Sequence, residues 1–241
     1  MESKRVDKYW SSFFGLTPNE MKDSGVRVLP HQELSDYKGA WVFRHNSLTV
    51  VSVPNDLCEL VRQNAEAFNG DLLTENWIHT TFNSRVERII GPAYHGYVDS
   101  SHFRPASSLG ARRLSGDDVE NLRQLSQACG EAEWEHSGIF LGGFGAANEP
   151  PTFGCFADGD LVAASQYWHD KHGTAKGGVI THPAYCNQGF GKAVRSATVE
   201  DCVNQGYTML YQTLLSNHSA VAVANALGFE QYATHLAVRF E

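Results

Sequence analysis

Apolar and polar positions divide the chain into two patterned regions with a polar seam between them. Near the N-terminus, Tyr9, Trp10, Phe13 and Phe14 repeat at helical spacing, and Gly15 is placed to stop that helix. The cluster reads as core. Residues 40–53 alternate around His45-Asn46 and predict a β-hairpin. Asn55 is expected to cap a helix that shows Leu57, Leu60, Val61 and Ala65 on one face and ends at Gly70. Residues 88–97 read as a strand and turn leading to the seam. The seam itself, residues 98–108, is polar and holds Pro105.

Beyond the seam the periods are cleaner. Residues 109–114 predict a strand, and Ser115 with Asp118 makes a capping-box-like start to a helix. That helix shows Val119, Leu122, Leu125 and Cys129 on one face, and a second short helix fits residues 131–137. Strands follow at 152–157 and 161–169, joined by the turn Asp158-Gly159-Asp160, and a third at 174–182. A helix from Gly189 to Gln205 carries the stripe Phe190, Ala193, Val194, Ala197 and Cys202. Tyr207 to Leu215 is a nearly unbroken apolar run, the mark of a buried strand. An Ala-rich helix over 218–227 stops at Gly228, and two short strands finish the chain. The order β-α-β-β-β-α-β-α-β-β predicts an α/β (mixed) layered domain over residues 101–241, preceded by a smaller α+β region of unknown role over residues 1–100.

Composition narrows the function classes. With 42% hydrophobic and 19% charged residues in 241, the chain is of ordinary globular type. Nineteen basic against 27 acidic residues give a net charge of −8, which disfavours a nucleic-acid partner. The five cysteines are odd in number and none is paired at CxxC spacing, so neither a disulfide framework nor a zinc site is expected. No apolar signal core follows Met1 and no run reaches membrane-spanning length, so the expected setting is cytoplasmic and reducing, with no membrane partner.

The chemistry concentrates in Val179 to Ala193. A strand ends, Pro183 turns the chain, and a loop with Gly189 and Gly191 opens a helix. Such a helix start offers unpaired N–H groups and the positive end of the helix dipole, and glycines allow a ligand close to the backbone. Together these suit a pyrophosphate, and the acidic net charge does not conflict because the donors are backbone amides. Two other phosphate motifs fail. A dinucleotide fingerprint needs a small residue where Val194 stands and an acid where Leu214, Leu215 and Ser216 stand. A Walker loop needs Ser or Thr at Ala193 and Gly at Cys186.

The stretch from Thr181 to Ala193 resembles the acyl-CoA-binding motif of the GNAT superfamily, [QR]-x-x-G-x-[GA], at the helix that follows the fourth strand. Gly189, Phe190 and Gly191 match its end, whereas Cys186 replaces the usual Gln or Arg, with Gln188 two residues away. A second signature is also similar: Asn217 follows a buried strand, and Ala226-Leu227-Gly228-Phe229 closes the next helix. The resemblance covers residues 109–241 and implies a GNAT-like domain with a central mixed, mostly antiparallel sheet. Some GNAT proteins carry a further domain that resembles a degenerate half of the same fold, one reading of the N-terminal region. The resemblance implies acetyl-CoA as co-substrate. Backbone groups near Val179, Ile180 and Thr181 would bind the acyl and pantetheine part, and Asn187, Gln188, Gly189, Phe190, Gly191 and Lys192 would hold the pyrophosphate, with Asn217 nearby. An amine of a small molecule or peptide would attack the thioester directly. Many members place a tyrosine, the general acid, four residues before the glycine of the second signature; here that position is Ala224, which leaves the acid unassigned and makes a non-catalytic acyl-CoA-binding module the alternative.

Candidate groups for proton transfer are few. Glu135 and His136 lie where this fold lines the acceptor side and are the candidate bases, and on an extended chain only one of the two would face the cleft. His218, beside Asn217, is the candidate donor to the thiolate. His169, Asp170 and His172 sit in a turn without a fourth ligand, so no metal is expected. Cys186 has no base evident beside it, and direct transfer needs no nucleophile. The sequence leaves a homodimer open.

Overall fold

The computed structural model describes residues 4–141 and 150–241. In chain order its elements are α1 (Lys4–Phe14), β1 (Gly25–Pro30), β2 (Gly39–His45), β3 (Leu48–Val53), α2 (Cys58–Ala67), α3 (Glu75–Phe82) and β4 (Val86–Val98). Then come β5 (Arg112–Arg113), α4 (Val119–Cys129), α5 (Glu131–Ser137), β6 (Thr152–Ala157), β7 (Asp160–His169) and β8 (Thr174–Thr181). The last are α6 (Phe190–Asn204), β9 (Thr208–Leu214), α7 (His218–Ala226) and β10 (Glu230–Phe240). No described helix is long and apolar enough to cross a membrane.

The chain forms two compact units. The first takes residues 1–96, 212–221 and 231–241, and the second takes 97–211 and 222–230. In the first, the strand order is β1-β3-β2-β10-β4. β2 and β3 form the expected hairpin, with Asn46 at φ 50°, a left-handed turn conformation that asparagine tolerates. Helices α2 and α3 bury Val61, Trp77, Ile78 and Phe82 with Val42, Val51, Leu236 and Val238 of the strands. The aromatic face of α1 is core as read: the Trp10 and Phe43 rings lie 4.5 Å apart. Behind them, His95 and His235 are buried and bonded, Nε2 to Nδ1 at 2.5 Å, and the His235 ring stacks on Trp41 at 4.3 Å.

In the second unit the order is β9-β8-β7-β6-β5, antiparallel except for the parallel pair β8–β9. That gives the α/β (mixed), mostly antiparallel sheet expected. Helix α4 starts as read, from a capping box in which Asp118 accepts from the Ser115 amide at 2.9 Å. The Arg112 guanidinium beside Asp118 holds that carboxyl below the usual carboxylate range. Leu122 and Leu125 of α4 pack on Leu114, Leu161, Ala164 and Ile180, one core between helix and sheet.

Three local expectations are corrected. Residues 109–114 give only the two-residue β5, because Leu109 and Gly110 take positive φ and break an extended run. Asn55 opens a single 3-10 turn rather than capping a helix, so α2 begins at Cys58, and it ends at Ala67 rather than at Gly70. The C-terminal residues form one 11-residue strand, β10, instead of two short ones. His235 is buried within it and paired to His95.

Candidate functional site

The second unit brings two features together at the end of β8. The first is a fork in the sheet. β8 and β9 are paired only at Thr174–Thr208 and Ala175–Met209, although β8 runs on to Thr181. From Gly177 onward β8 keeps its antiparallel partner β7, but its other edge has no register partner in β9. Unpaired strand edges expose N–H and C=O groups in a row, ready for an extended ligand that carries amides.

The second feature is the open start of α6. Pro183 sits at the first position of a 3-10 turn whose cap is His182, with Nδ1 accepting from the Ala184 amide at 3.1 Å. Asn187 (φ 62°) and Gly189 (φ 91°) then bend the chain into α6. The helix ladder begins only at the Ala193 amide, which bonds the Gly189 carbonyl at 2.9 Å. The amides of Phe190, Gly191 and Lys192 therefore have no partner in the helix and point from its N-terminus. A Cβ on Gly191 would come within 2.7 Å of Thr181 Oγ1, so glycine there is what lets α6 close onto the end of β8. A cavity of about 240 Å³ borders the same turn, lined by Asn121, Gln124, Asp160, Val162, His182 and Tyr185 among others. A pyrophosphate with an amide-bearing arm fits this donor set: amides at the helix start, an open strand edge leading away.

The sequence-expected residues divide accordingly. Val179, Ile180 and Thr181 lie on β8; Asn187, Gln188, Gly189, Phe190, Gly191 and Lys192 form the loop and first turn of α6, and the two groups meet at Thr181 and Gly191. Thr181 faces α6, so Val179 and Gly177 share that face, while Gly178 and Ile180 face the side of α4 and α5. The C-terminal end of α5 abuts β8 there: a Cβ on Gly178 would overlap the Ser137 carbonyl oxygen.

Glu135 and His136 lie on α5, two and one residues before that contact, and both are exposed. They are helical neighbours, about 100° apart around the axis, rather than opposite faces of an extended chain as expected. The Nδ1 of His136 donates to the Ala132 carbonyl, which leaves Nε2 as the basic nitrogen of the neutral ring. Asn217 and His218 belong to the first unit. Asn217 works there as a cap, with Oδ1 accepting from the Ala220 amide at 3.1 Å, and His218 is the exposed first residue of α7. Ala224 is fully buried. Among the described residues no cluster of three or more His, Cys, Asp or Glu could hold a metal ion, and Asp170 instead ties its turn, accepting from the His172 amide at 2.7 Å.

Cys186 is exposed, and its Sγ lies 3.7 Å from the His182 carbonyl. Cys129 and Cys155 have their thiols pushed up to about 11 by burial, and Cys202 to about 12. The fork itself was missed by sequence reasoning. Gly177-Gly178 was its one signal, two side-chain-free positions in mid-strand.

Comparison with known proteins gives the wider frame. Residues 119–229 match the model of the family described as Acetyltransferase (GNAT) family. No curated protein matches the chain. Among solved structures, an acetyltransferase from the GNAT family of Colwellia psychrerythraea aligns over 100% of this chain and 98% of its own, at 14% identity and a TM-score of 0.55, which shows a shared fold. One assigned to the GNAT family from Novosphingobium aromaticivorans (21% identity, TM-score 0.47) covers 64% of this chain and 66% of its own. A GCN5-related N-acetyltransferase from Kribbella flavida (15%, TM-score 0.47) covers 63% and 59%. Alignment thus spans less than two thirds of these last two relatives.

Proposed function

Because residues 119–229 make up a GNAT acetyltransferase domain, we propose that the protein is an N-acetyltransferase that moves an acetyl group from acetyl-CoA to the amine of a small molecule or peptide. The observation that carries this reading is the fork beside the open helix start: the edge of Gly177–Thr181, beyond the last register pair with β9, leads directly to the free amides of Phe190–Lys192. In this reading the pyrophosphate sits on those amides, the two amides of the pantetheine arm pair with the open edge of β8, and the thioester reaches the fork. The amine approaches from the side of α5. A lysine-like amine has a pKa near 10.4, so at pH 7 only about one molecule in a few thousand is unprotonated. Nε2 of His136, with Glu135 beside it, takes that proton and passes it to solvent; the free amine attacks the carbonyl carbon, backbone N–H groups of β8 hold the oxyanion, the C–S bond breaks with its electron pair on sulfur, and the proton still on the new amide nitrogen goes to the same base.

The test pairs binding with turnover. Acetyl-CoA at 100 times its dissociation constant should stabilise the protein by roughly 2.7 kcal/mol in a thermal-shift assay. Lys192→Glu should weaken that shift, because Lys192 is exposed and the new charge faces the phosphates without disturbing packing. Gly191→Asp should abolish it, but that variant also meets Thr181. An undiminished shift in both variants would sink the site. CoA release with a panel of amines then separates the enzyme from the second reading, a non-catalytic acyl-CoA-binding module, which Ala224 favours: the module binds acetyl-CoA and releases no CoA.

A further inference from the structure

Arg195 stands on α6 within its apolar stripe and is 0% exposed. Among the described residues its only hydrogen bond is a long one, Nη1 to Ser165 Oγ at 3.5 Å, while Nε and Nη2 have no partner. A fully buried guanidinium normally sits against a carboxylate, because an unpaired cation in a dry interior is strongly unfavourable. Among the described residues no carboxylate bonds to it or pairs with it. The groups around it are Tyr211 on β9, whose ring centroid lies 5.3 Å from the guanidinium carbon, and Cys202 on α6. From β7 come Ser165 and Tyr167, and the Tyr167 hydroxyl is engaged by Asp201 at 2.6 Å. From β8 comes Gly177, where a Cβ would lie 3.0 Å from Nη1.

The position of this orphan cation is specific. The β8–β9 pairing ends at Ala175 and Met209, and Arg195 touches the residue two further along each strand, Gly177 and Tyr211. It therefore underlies the apex of the fork, and the absent side chain of Gly177 leaves only backbone between the guanidinium and the sheet plane. An anion placed in the fork would supply the missing countercharge.

We propose that Arg195 stabilises the sulfur anion that leaves at the fork, and so fills the place of the general acid that Ala224 vacates. This rests on the acyl-CoA reading above. In the step, the amine nitrogen forms its bond to the acyl carbon, the C–S bond breaks, and the electron pair stays on sulfur as the CoA thiolate. The amine proton goes to the base, and the thiolate takes a proton from solvent after release. Charge at short range in a water-poor site does what proton donation would otherwise do.

The test needs no turnover. The ultraviolet absorbance of the CoA thiolate is followed as pH is raised, with CoA bound to the wild-type protein, and the same titration with desulfo-CoA is subtracted to remove the protein's own thiols. A free thiol of this kind titrates near 8.5. Bound to the wild type it should titrate about one to two pH units lower; in Arg195→Met the midpoint should return to or above the free value, and Arg195→Lys should retain part of the lowering. CoA affinity in the wild type should rise with pH over the same range, and desulfo-CoA affinity should not. A wild-type midpoint at or above that of free CoA, or one that Arg195→Met leaves unchanged, overturns the inference and leaves acyl-CoA binding intact. If neither CoA nor desulfo-CoA binds the wild type, the acyl-CoA reading falls and takes this inference with it.

Discussion

Acid should weaken the first unit through His235. The ring is 2% exposed, stacked on Trp41 and bonded to His95, and burial pushes its pKa from the ordinary 6.5 down to about 4. Unfolding returns it to the ordinary value, so between those two pH values the unfolded chain binds a proton that the folded chain refuses. Its contribution is therefore complete above pH 6.5 and is lost as pH falls to about 4. At about 1.4 kcal/mol per pH unit this amounts to about 3 kcal/mol, a large part of a typical 5–15 kcal/mol total. Other groups act in the same direction but at separable places. His31, half-buried, has its pKa lowered by burial and adds to the loss in the same range. Asp71, held low by Arg44, and Asp118, held low by Arg112, lose their stabilisation only below the carboxylate range. The assay is urea unfolding followed by tryptophan fluorescence from pH 7.5 to 4.5, on the wild type and on His235→Phe. The variant starts less stable, because it gives up the bond to His95, but its stability should depend on pH more weakly by close to one proton. Parallel pH profiles for the two proteins would refute the reasoning, since the buried imidazole would then not be the group that takes up the proton.

Gly178→Ala should leave acetyl-CoA binding in place and lower turnover at least tenfold, because its Cβ displaces the end of α5 that carries Glu135 and His136; steady-state kinetics beside the thermal shift checks this. Asp118→Ala should cost about 1–3 kcal/mol in urea unfolding, since the capping box and the Arg112 pair go together, whereas Asp118→Asn should cost less. Incubation with acetyl-CoA should leave the intact mass of the protein unchanged, because the buried thiols of Cys129, Cys155 and Cys202 are held protonated and direct attack needs no acyl-cysteine; an acetyl adduct lost in Cys186→Ala would contradict it.

Much of the second unit was legible because its punctuation is strong. Pro183, Gly189 and Gly206 bracket α6, and Asp158-Gly159 marks the β6–β7 turn with two positive-φ residues. Legibility failed where a polar residue is buried for a reason that only tertiary structure supplies. The expected split of the C-terminal strand in two left no place for His235, which is buried in mid-strand against His95, 140 positions away. Arg195 drew no reading at all from the sequence, since nothing local says that a sheet covers it. The fork is a matter of register between strands 34 residues apart, Thr174 with Thr208, and no local period encodes where pairing stops. Glu135 and His136 fell between two readings of one segment, helical by composition and extended by assumed role; the structure makes it α5.

The interleaving of the two units governs how the molecule is made. The chain passes from one to the other at residues 96/97, 211/212, 221/222 and 230/231. During synthesis the second unit has all its segments once residue 230 has emerged, while the sheet of the first still lacks β10, which pairs with β2 through Thr234–Arg239. Until then the edge of β2 that faces β10 waits unpaired on the nascent chain, including Ala40 and Val42, whose partners in the finished sheet are Val238 and Leu236. A chain cut just before β10 would thus leave the first unit, most of it made earlier, as the part that cannot finish folding.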